Sequence, residues 1–318
     1  MKVPSSPIVL VGNYPPDNQF SMLKYSRMLE RHILNSGGQA IHVAPSRIFG
    51  RLKNENKWLG YLDKFLLFPR RLKKELSSIE SKSNTSPILH ICDHSNSFYL
   101  HAAGKRPTVL TCHDLMAIRM ALGEFTGELT RRSGKVLQKH ILKSIPQASR
   151  IACVSASTER DLLRLLPVTQ DKTCIVHNGF NALFNKLSVK ETEKRLTKFK
   201  LGKQQRVILH VGSNAWYKNR LGVLKIFQDL LQSGDCPDVH LVLVGPALDG
   251  HLEAFIREHG LESKILCTGP IGDSLLEAFY SRAEAFIFPS RHEGFGWPPV
   301  EAQSCGCPVV ASNNGSLQ

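Results

Sequence analysis

The sequence predicts an α/β protein built of two doubly wound parallel-sheet domains that face each other across a cleft. Three observations carry this. Short apolar runs alternate with longer amphipathic ones along the whole chain. The short runs are apolar on both faces, as strands covered by helices on both sides must be. Eleven such runs are too many for one ordinary sheet, and a charged stretch divides them six and five.

In order, the strand-like runs of the first half are 7–12, 40–44, 87–92, 108–112, 150–155 and 173–177. Those of the second half are 206–212, 239–245, 264–269, 284–290 and 307–312. Helical candidates fall between them, at 20–35, 118–145, 156–166, 218–233, 248–259 and 273–282. The dividing stretch is "NKLSVKETEKRLTKFKLGKQQ" (185–205), polar and charged. It places a first domain at 1–182, a linker at 183–204 and a second domain at 205–318. Ligands of such folds sit beyond the carboxyl ends of the strands.

The chain has 318 residues, enough for two cores. Residues 1–182 hold 26 Lys and Arg against 13 Asp and Glu, whereas residues 183–318 hold 15 against 14. The net charge of +14 is thus concentrated in the first half and points to an anionic partner there. No apolar run reaches the ~20 residues of a membrane span, and the N-terminus lacks the pattern of a signal peptide. The eight cysteines form no C-x-x-C pair and are read as reduced core thiols, which makes the cytoplasm the expected compartment.

The candidate chemistry lies just past strands. In "HEGFGWPPVEAQSCGCPVVAS" (292–312), Glu293 and Glu301 stand eight positions apart. Pro298 and Pro299 suit the first turn of a helix, where a missing N–H costs nothing. That puts Glu301 in the first turn and Glu293 in the preceding loop. The backbone N–H groups about Phe295, Gly296 and Trp297 face the same space, a setting for sugar hydroxyls and an anion together. The plainer alternative is a Glu301 that complements the helix dipole and a solvated Glu293. In "ILHVGSNAWYKNR" (208–220), Gly212 and Ser213 allow close approach to a strand end. Lys218, Asn219 and Arg220 cluster where a helix opens. Cations there oppose the dipole, so an anionic guest or a solvated helix end explains them. In the first half His113 and Asp114 follow a strand, a position where histidine is more often structural than catalytic. Gly12 ends the first strand without a G-x-G-x-x-G. No D-x-D occurs among the eleven aspartates, and there is no phosphate-binding P-loop or zinc spacing, so no metal site is expected.

The segment "RLKNENKWLGYLDKFLLFPRRLKKEL" (51–76) interleaves Trp58, Leu59, Tyr61, Leu62, Phe65, Leu66 and Phe68 with eight Lys and Arg and three acids. Such a segment either lies in an anionic membrane interface or is an ordinary helix with its apolar side in the core.

Taken together, "HVGSNAWYKNR", "LVLVGP" and the run from Cys267 to Leu317 resemble the family 4 (group 1) retaining glycosyltransferases, whose GT-B fold pairs two Rossmann-like domains. "VLTCHDL", "RIACVSASTERDLL" and "VHNGFN" extend the resemblance into the first half. It implies that the family's Glu-x7-Glu pair is Glu293, contacting the transferred sugar, and Glu301, contacting the ribose. It implies further that Lys218 binds the diphosphate, that His113 lies close to the donor sugar, and that backbone about Pro270 and Ile271 frames the base. The implied activity is metal-independent hexose transfer from a nucleotide sugar to a saccharide or lipid-linked acceptor. The setting would be cell-envelope polysaccharide or glycolipid synthesis, in the cytoplasm and peripheral to the membrane.

Two features depart from the family. The first-strand loop reads "NYPPDNQFSM" where glycines are usual. Tyr217 stands where an arginine often precedes the lysine, leaving Arg220 and Arg291 as substitutes. The chain stops at "ASNNGSLQ", where family members usually continue, so the second domain is expected to be incomplete at its C-terminus and turnover weak. The competing readings are an inactive or non-catalytic protein of this fold and a nucleotide-sugar epimerase. Binding of nucleic acid lacks the aromatic residues that would stack bases among the basic ones.

Overall fold

The computed structural model describes residues 6–51, 57–125, 130–180, 182–199, 201–202 and 205–318. The chain divides into two compact units, Met1–Asn181 and Ala182–Gln318.

In the first unit, β1 (Ile8–Val11), β2 (Ala40–Val43), β3 (Ile88–Ile91), β4 (Thr108–Cys112), β5 (Arg150–Cys153) and β6 (Thr173–Ile175) form one sheet in the order β2-β1-β3-β4-β5-β6. Every pairing is parallel. The crossovers carry α1 (Phe20–Asn35), α2 (Lys57–Leu62), α3 (Phe68–Ser83), α4 (Met116–Ala121), α5 (Arg132–Ser144) and α6 (Ala156–Leu165). Val9 and Val11 of β1 pack in one cluster with Phe68, Leu72 and Leu76 of α3, while Leu10 between them is equally buried. A strand buried on both faces therefore reads as an unbroken apolar run.

In the second unit, β7 (Arg206–Val211), β8 (Val239–Val244), β9 (Ile265–Gly269), β10 (Ala285–Phe288) and β11 (Val309–Ala311) are parallel in the order β11-β10-β7-β8-β9. The helices are α7 (Val189–Leu196), α8 (Arg220–Gln232), α9 (Gly250–Glu258), α10 (Asp273–Arg282) and α11 (Trp297–Ser304). Val207 and Leu209 join the cluster of Phe279, Tyr280, Phe286 and Phe288, whereas Ile208 joins Val223, Leu224 and Phe227. The period of two thus sends alternate residues of β7 into two cores.

All eleven expected strands form, six and five. Three expectations are corrected. The helix expected over 118–145 is two, α4 and α5, because Gly123 after α4 adopts φ 81°, which breaks the helical path. The stretch expected as a linker at 183–204 holds α7 and belongs to the second unit. Its Phe184 and Leu196 are in the core, and Asn185 and Leu187 donate backbone N–H groups to Glu277 and Ser281 of α10. Its charge is the outer face of an amphipathic helix. Finally, all eight cysteines are free but not all are core: Cys174 and Cys267 are exposed, since β6 and β9 are edge strands. β11 is the other edge of the second sheet, with Val310 exposed.

Candidate functional site

The second sheet reverses its strand order at β7. From there the chain steps outward through β8 and β9, then returns to the other side of β7 for β10 and β11. At such a reversal the loops leaving the two adjacent strands diverge and open a crevice. The loop after β7 carries Gly212, Ser213, Lys218 and Asn219, and the loop after β10 carries Glu293, Phe295 and Gly296.

The two loops are tied together. The Arg291 N–H donates to the Tyr217 carbonyl at 2.7 Å. Asn219, held left-handed at φ 55°, donates its side-chain amide to the Pro289 carbonyl at 3.0 Å. Lys218 Nζ lies 2.7 Å from Glu293 Oε1, with the two side chains 18% and 9% exposed. The solvated Glu293 of the plainer reading is therefore not what forms.

Glu301 sits deeper. Gly296, at φ 90°, lets α11 open at Trp297, so Glu301 falls in the second turn rather than the expected first. A Cβ on Gly296 would also stand 2.8 Å from Leu317. Glu301 is 8% exposed and accepts from the Tyr280 hydroxyl at 3.0 Å. A buried carboxylate at this depth is not a surface complement to the helix dipole.

Charge at the crevice is set by two further residues. Arg220 is buried and donates to Asn214 Oδ1 and to the carbonyls of Pro246 and Val244. Burial lowers its pKa, and no carboxylate hydrogen-bonds it among the described residues. It supplies positive potential, but its two terminal nitrogens are spent on these contacts and its Nε is buried without a partner among the described residues, whereas Arg291 is exposed. His210, under Gly212, donates Nδ1–H to the Ile287 carbonyl at 2.9 Å, and its Nε2 has no partner among the described residues. Burial pushes its pKa down to about 4, so the imidazole is neutral. Gly212 is required by packing: a Cβ there would meet His210 Nε2 at 2.9 Å.

Pro270 and Ile271 follow β9, two strands from β7. Pro270 is exposed, and Ile271 packs against the core. Residues after β11 brace the crevice from behind, a role the sequence reading missed. Asn314 donates to the Arg291 carbonyl at 2.7 Å and Ser316 to the Glu293 carbonyl at 3.0 Å. The available signal was a run of small hydrogen-bonding residues, "SNNGS", directly after a strand.

The first sheet reverses between β1 and β3, and a second polar cluster lies at that point. Asn13 donates to Asp93 Oδ2 at 2.6 Å and to Gln19, and accepts from Asn96 at 3.1 Å. Asp93 also accepts from the Ser95 N–H and hydroxyl. His113 donates Nε2–H to the Cys92 carbonyl at 2.9 Å and meets the Tyr25 ring edge-on at 4.5 Å. Burial lowers its pKa against the opposing pull of Asp93. Gly12 is buried beneath His42, whose Nε2 would be 2.7 Å from a Cβ there, so this glycine serves internal packing. Asn13 and Asp93 were passed over, although Asp93 follows β3 just as Asp114 follows β4.

Two parallel α/β units, each with polar residues gathered where its strand order reverses, define a protein of the GT-B class. The solved structures agree on the fold. HepE from Anabaena, crystallised with UDP and glucose, superposes with a TM-score of 0.67 at 17% identity over 98% of this chain and 82% of that one. Sucrose-phosphate synthase from Thermosynechococcus elongatus gives 0.71 at 18%, with the same coverage. The family model described as "Glycosyl transferases group 1" matches residues 191–318, and "Glycosyltransferase Family 4" matches 42–182. The chain belongs to the group 1 glycosyltransferases of family 4. O-antigen chain mannosyltransferase B of Escherichia coli is 30% identical over 228 residues, which are 70% of this chain and 57% of that protein. The match therefore spans little more than half of that relative's length.

Proposed function

We propose that the protein transfers a hexosyl group from a nucleotide sugar to a saccharide or lipid-linked acceptor, with retention and without a metal. The observation that carries this reading is the Lys218–Glu293 pair at the strand-order reversal of the second sheet, with Glu301 buried behind it. A bound donor would take both partners apart: its diphosphate would accept from Lys218, and a sugar hydroxyl would donate to Glu293. Glu301, held by Tyr280, would accept from the ribose. Relatives support the class of reaction, since the E. coli protein is a mannosyltransferase by name and HepE was crystallised with UDP and glucose.

In the transfer step the bond from the anomeric carbon to the diphosphate oxygen breaks. The acceptor oxygen bonds to that carbon on the face the diphosphate leaves, and a departing phosphate oxygen takes the acceptor proton. The negative charge that grows on the leaving group is met by Lys218 and by the potential of the buried Arg220. Contact of the first unit with an anionic membrane belongs to the same reading.

The test is a panel of GDP-, UDP- and ADP-sugars scored by binding and slow hydrolysis, followed by transfer to candidate acceptors with the anomeric configuration of the product read by NMR. Free nucleoside diphosphate released only when acceptor is added supports transfer. Interconversion of the donor sugar with no release would establish the epimerase instead.

A further inference from the structure

The helical segment behind the β1–α1 loop has one face that the fold leaves uncovered. A π turn, Asp63–Leu67, joins α2 to α3, closed by the bond from Phe68 N–H to the Asp63 carbonyl. In an α-helix residues five apart point to different sides, whereas a π turn brings them onto one. Asp63 and Phe68 therefore both face inward, with Leu72 and Leu76 continuing that face into the core. Tyr61, Leu62, Phe65 and Leu66 consequently share the outer side, exposed by 37%, 40%, 38% and 44%. Residues 52–56 and the side chain of Trp58 lie outside the described residues.

This strip is rigidly backed. Asp63 accepts N–H groups from Ile48, Phe49 and Gly50 and the hydroxyl of Tyr14, all within 3.1 Å. Against the cost of burial, those donors hold its carboxyl below the usual range. Lys64 pairs with Asp17 at 2.7 Å while standing over the rings of Tyr14, Tyr61 and Phe65. Toward α3 the exposed side turns basic. Arg70, Lys73 and Lys74 follow, and no carboxylate pairs with them among the described residues. A groove of about 410 Å³ beside them is lined by Leu67 and Phe68 together with Arg70, Arg71 and Lys74, and by the carboxylates Asp63 and Glu75, the latter paired with Arg71. Among the described residues no helix is long and apolar enough to cross a membrane.

We infer that the Tyr61–Leu66 strip is the surface by which this domain lies on an anionic phospholipid bilayer, with Arg70, Lys73 and Lys74 on the headgroups. The inward face already has its core partners and, of the outer residues, Phe65 packs on a core ring, that of Phe98, so core packing does not account for the exposure of Tyr61, Leu62 and Leu66. Apolar side chains entering the interface and cations meeting anionic headgroups reinforce each other, and neither alone anchors firmly. The strip is tied through Tyr14 and Asp17 to the β1–α1 loop, so seating it places that loop at the bilayer surface. This identifies the membrane partner within the proposed function and rests on that reading only for its biological purpose.

The experiment is co-sedimentation of the full chain with vesicles of phosphatidylglycerol or of phosphatidylcholine, without sugar donor, so it stands or falls apart from transferase activity. The wild type is expected to pellet with phosphatidylglycerol and weakly with phosphatidylcholine. Leu66→Glu and Phe65→Glu should each lower binding about tenfold. Lys73→Gln/Lys74→Gln should lower it about tenfold at low salt and little at high salt. Val136→Glu, an exposed apolar position on α5, should change nothing. Leu66→Glu is the decisive variant, because Phe65 also packs on Phe98 at 4.7 Å; thermal unfolding like that of the wild type shows that it folds. No pelleting of the wild type with phosphatidylglycerol overturns the inference, as does wild-type binding by Leu66→Glu. Lipid-free self-association that Leu66→Glu abolishes, without vesicle binding, would assign the strip to a second copy of the chain and overturn it too.

Discussion

Lys218 Nζ stands 2.7 Å from Glu293 Oε1 and bridges the two loops that diverge where the second sheet reverses its strand order. The pair shapes the crevice, and in the proposed reaction a donor would separate its two members.

Replacing Lys218 by Met should lower transfer about a hundredfold, the effect of removing one charged contact to a developing anion. Because the pair is largely buried, Glu293 is then left without its cation, and the thermal midpoint should fall as well. Steady-state kinetics and calorimetry read both. Unchanged turnover at normal stability would remove Lys218 from the reaction.

Glu301→Gln keeps a hydrogen-bonding group opposite Tyr280 while removing the charge. Donor affinity should fall about tenfold, as for loss of a charge-assisted hydrogen bond, with little change in unfolding. Isothermal titration with the donor found in the panel decides. A variant that unfolds early yet binds normally would make Glu301 structural.

Asp93→Ala leaves both donors of Ser95 without their acceptor and takes one of two acceptors from the Asn13 amide. With roughly 1–3 kcal/mol for each unsatisfied buried group, the first unit should lose about that much or more in stability. Donor affinity should stay normal if, as proposed, the donor is held by Lys218, Glu293 and Glu301, all of which belong to the second unit. Denaturant unfolding followed alongside donor titration separates the two effects.

His90 and His210 are each pushed down to about 4 by burial, against an ordinary value of 6.5. A depressed pKa means that the unfolded chain takes up protons first. Their contribution is therefore complete above pH 6.5 and is lost as pH falls toward 4. Each corresponds to ~3 kcal/mol over that window. Chemical denaturation at a series of pH values should show the decline, and His210→Phe should flatten part of it.

Treatment with EDTA should leave transfer intact. Activity that vanishes and returns with magnesium or manganese would replace the Lys218 account of diphosphate stabilisation with a metal-bridged one.

Much of this was legible in the linear pattern. Eleven doubly apolar runs gave eleven strands, six before and five after the charged stretch 185–205, although that stretch is not a linker but carries α7. That Lys218, Glu293 and Glu301 come after strand ends was legible from the strand runs that precede them. Strand periodicity is local, and local signals survive in sequence.

The sequence by itself determined the class of each element and the residues available at strand ends. Only the tertiary structure decided which of them meet. Lys218 and Glu293 are 75 positions apart and touch because β10 returns beside β7. Asn13 and Asp93 are 80 apart and touch because β3 lies beside β1. Arg220 looked like a ligand for an anion until burial committed it to backbone carbonyls, and Cys174 and Cys267 looked like core until their strands fell at sheet edges. Strand order and burial are long-range outcomes of packing the whole chain, and no short window of residues encodes them.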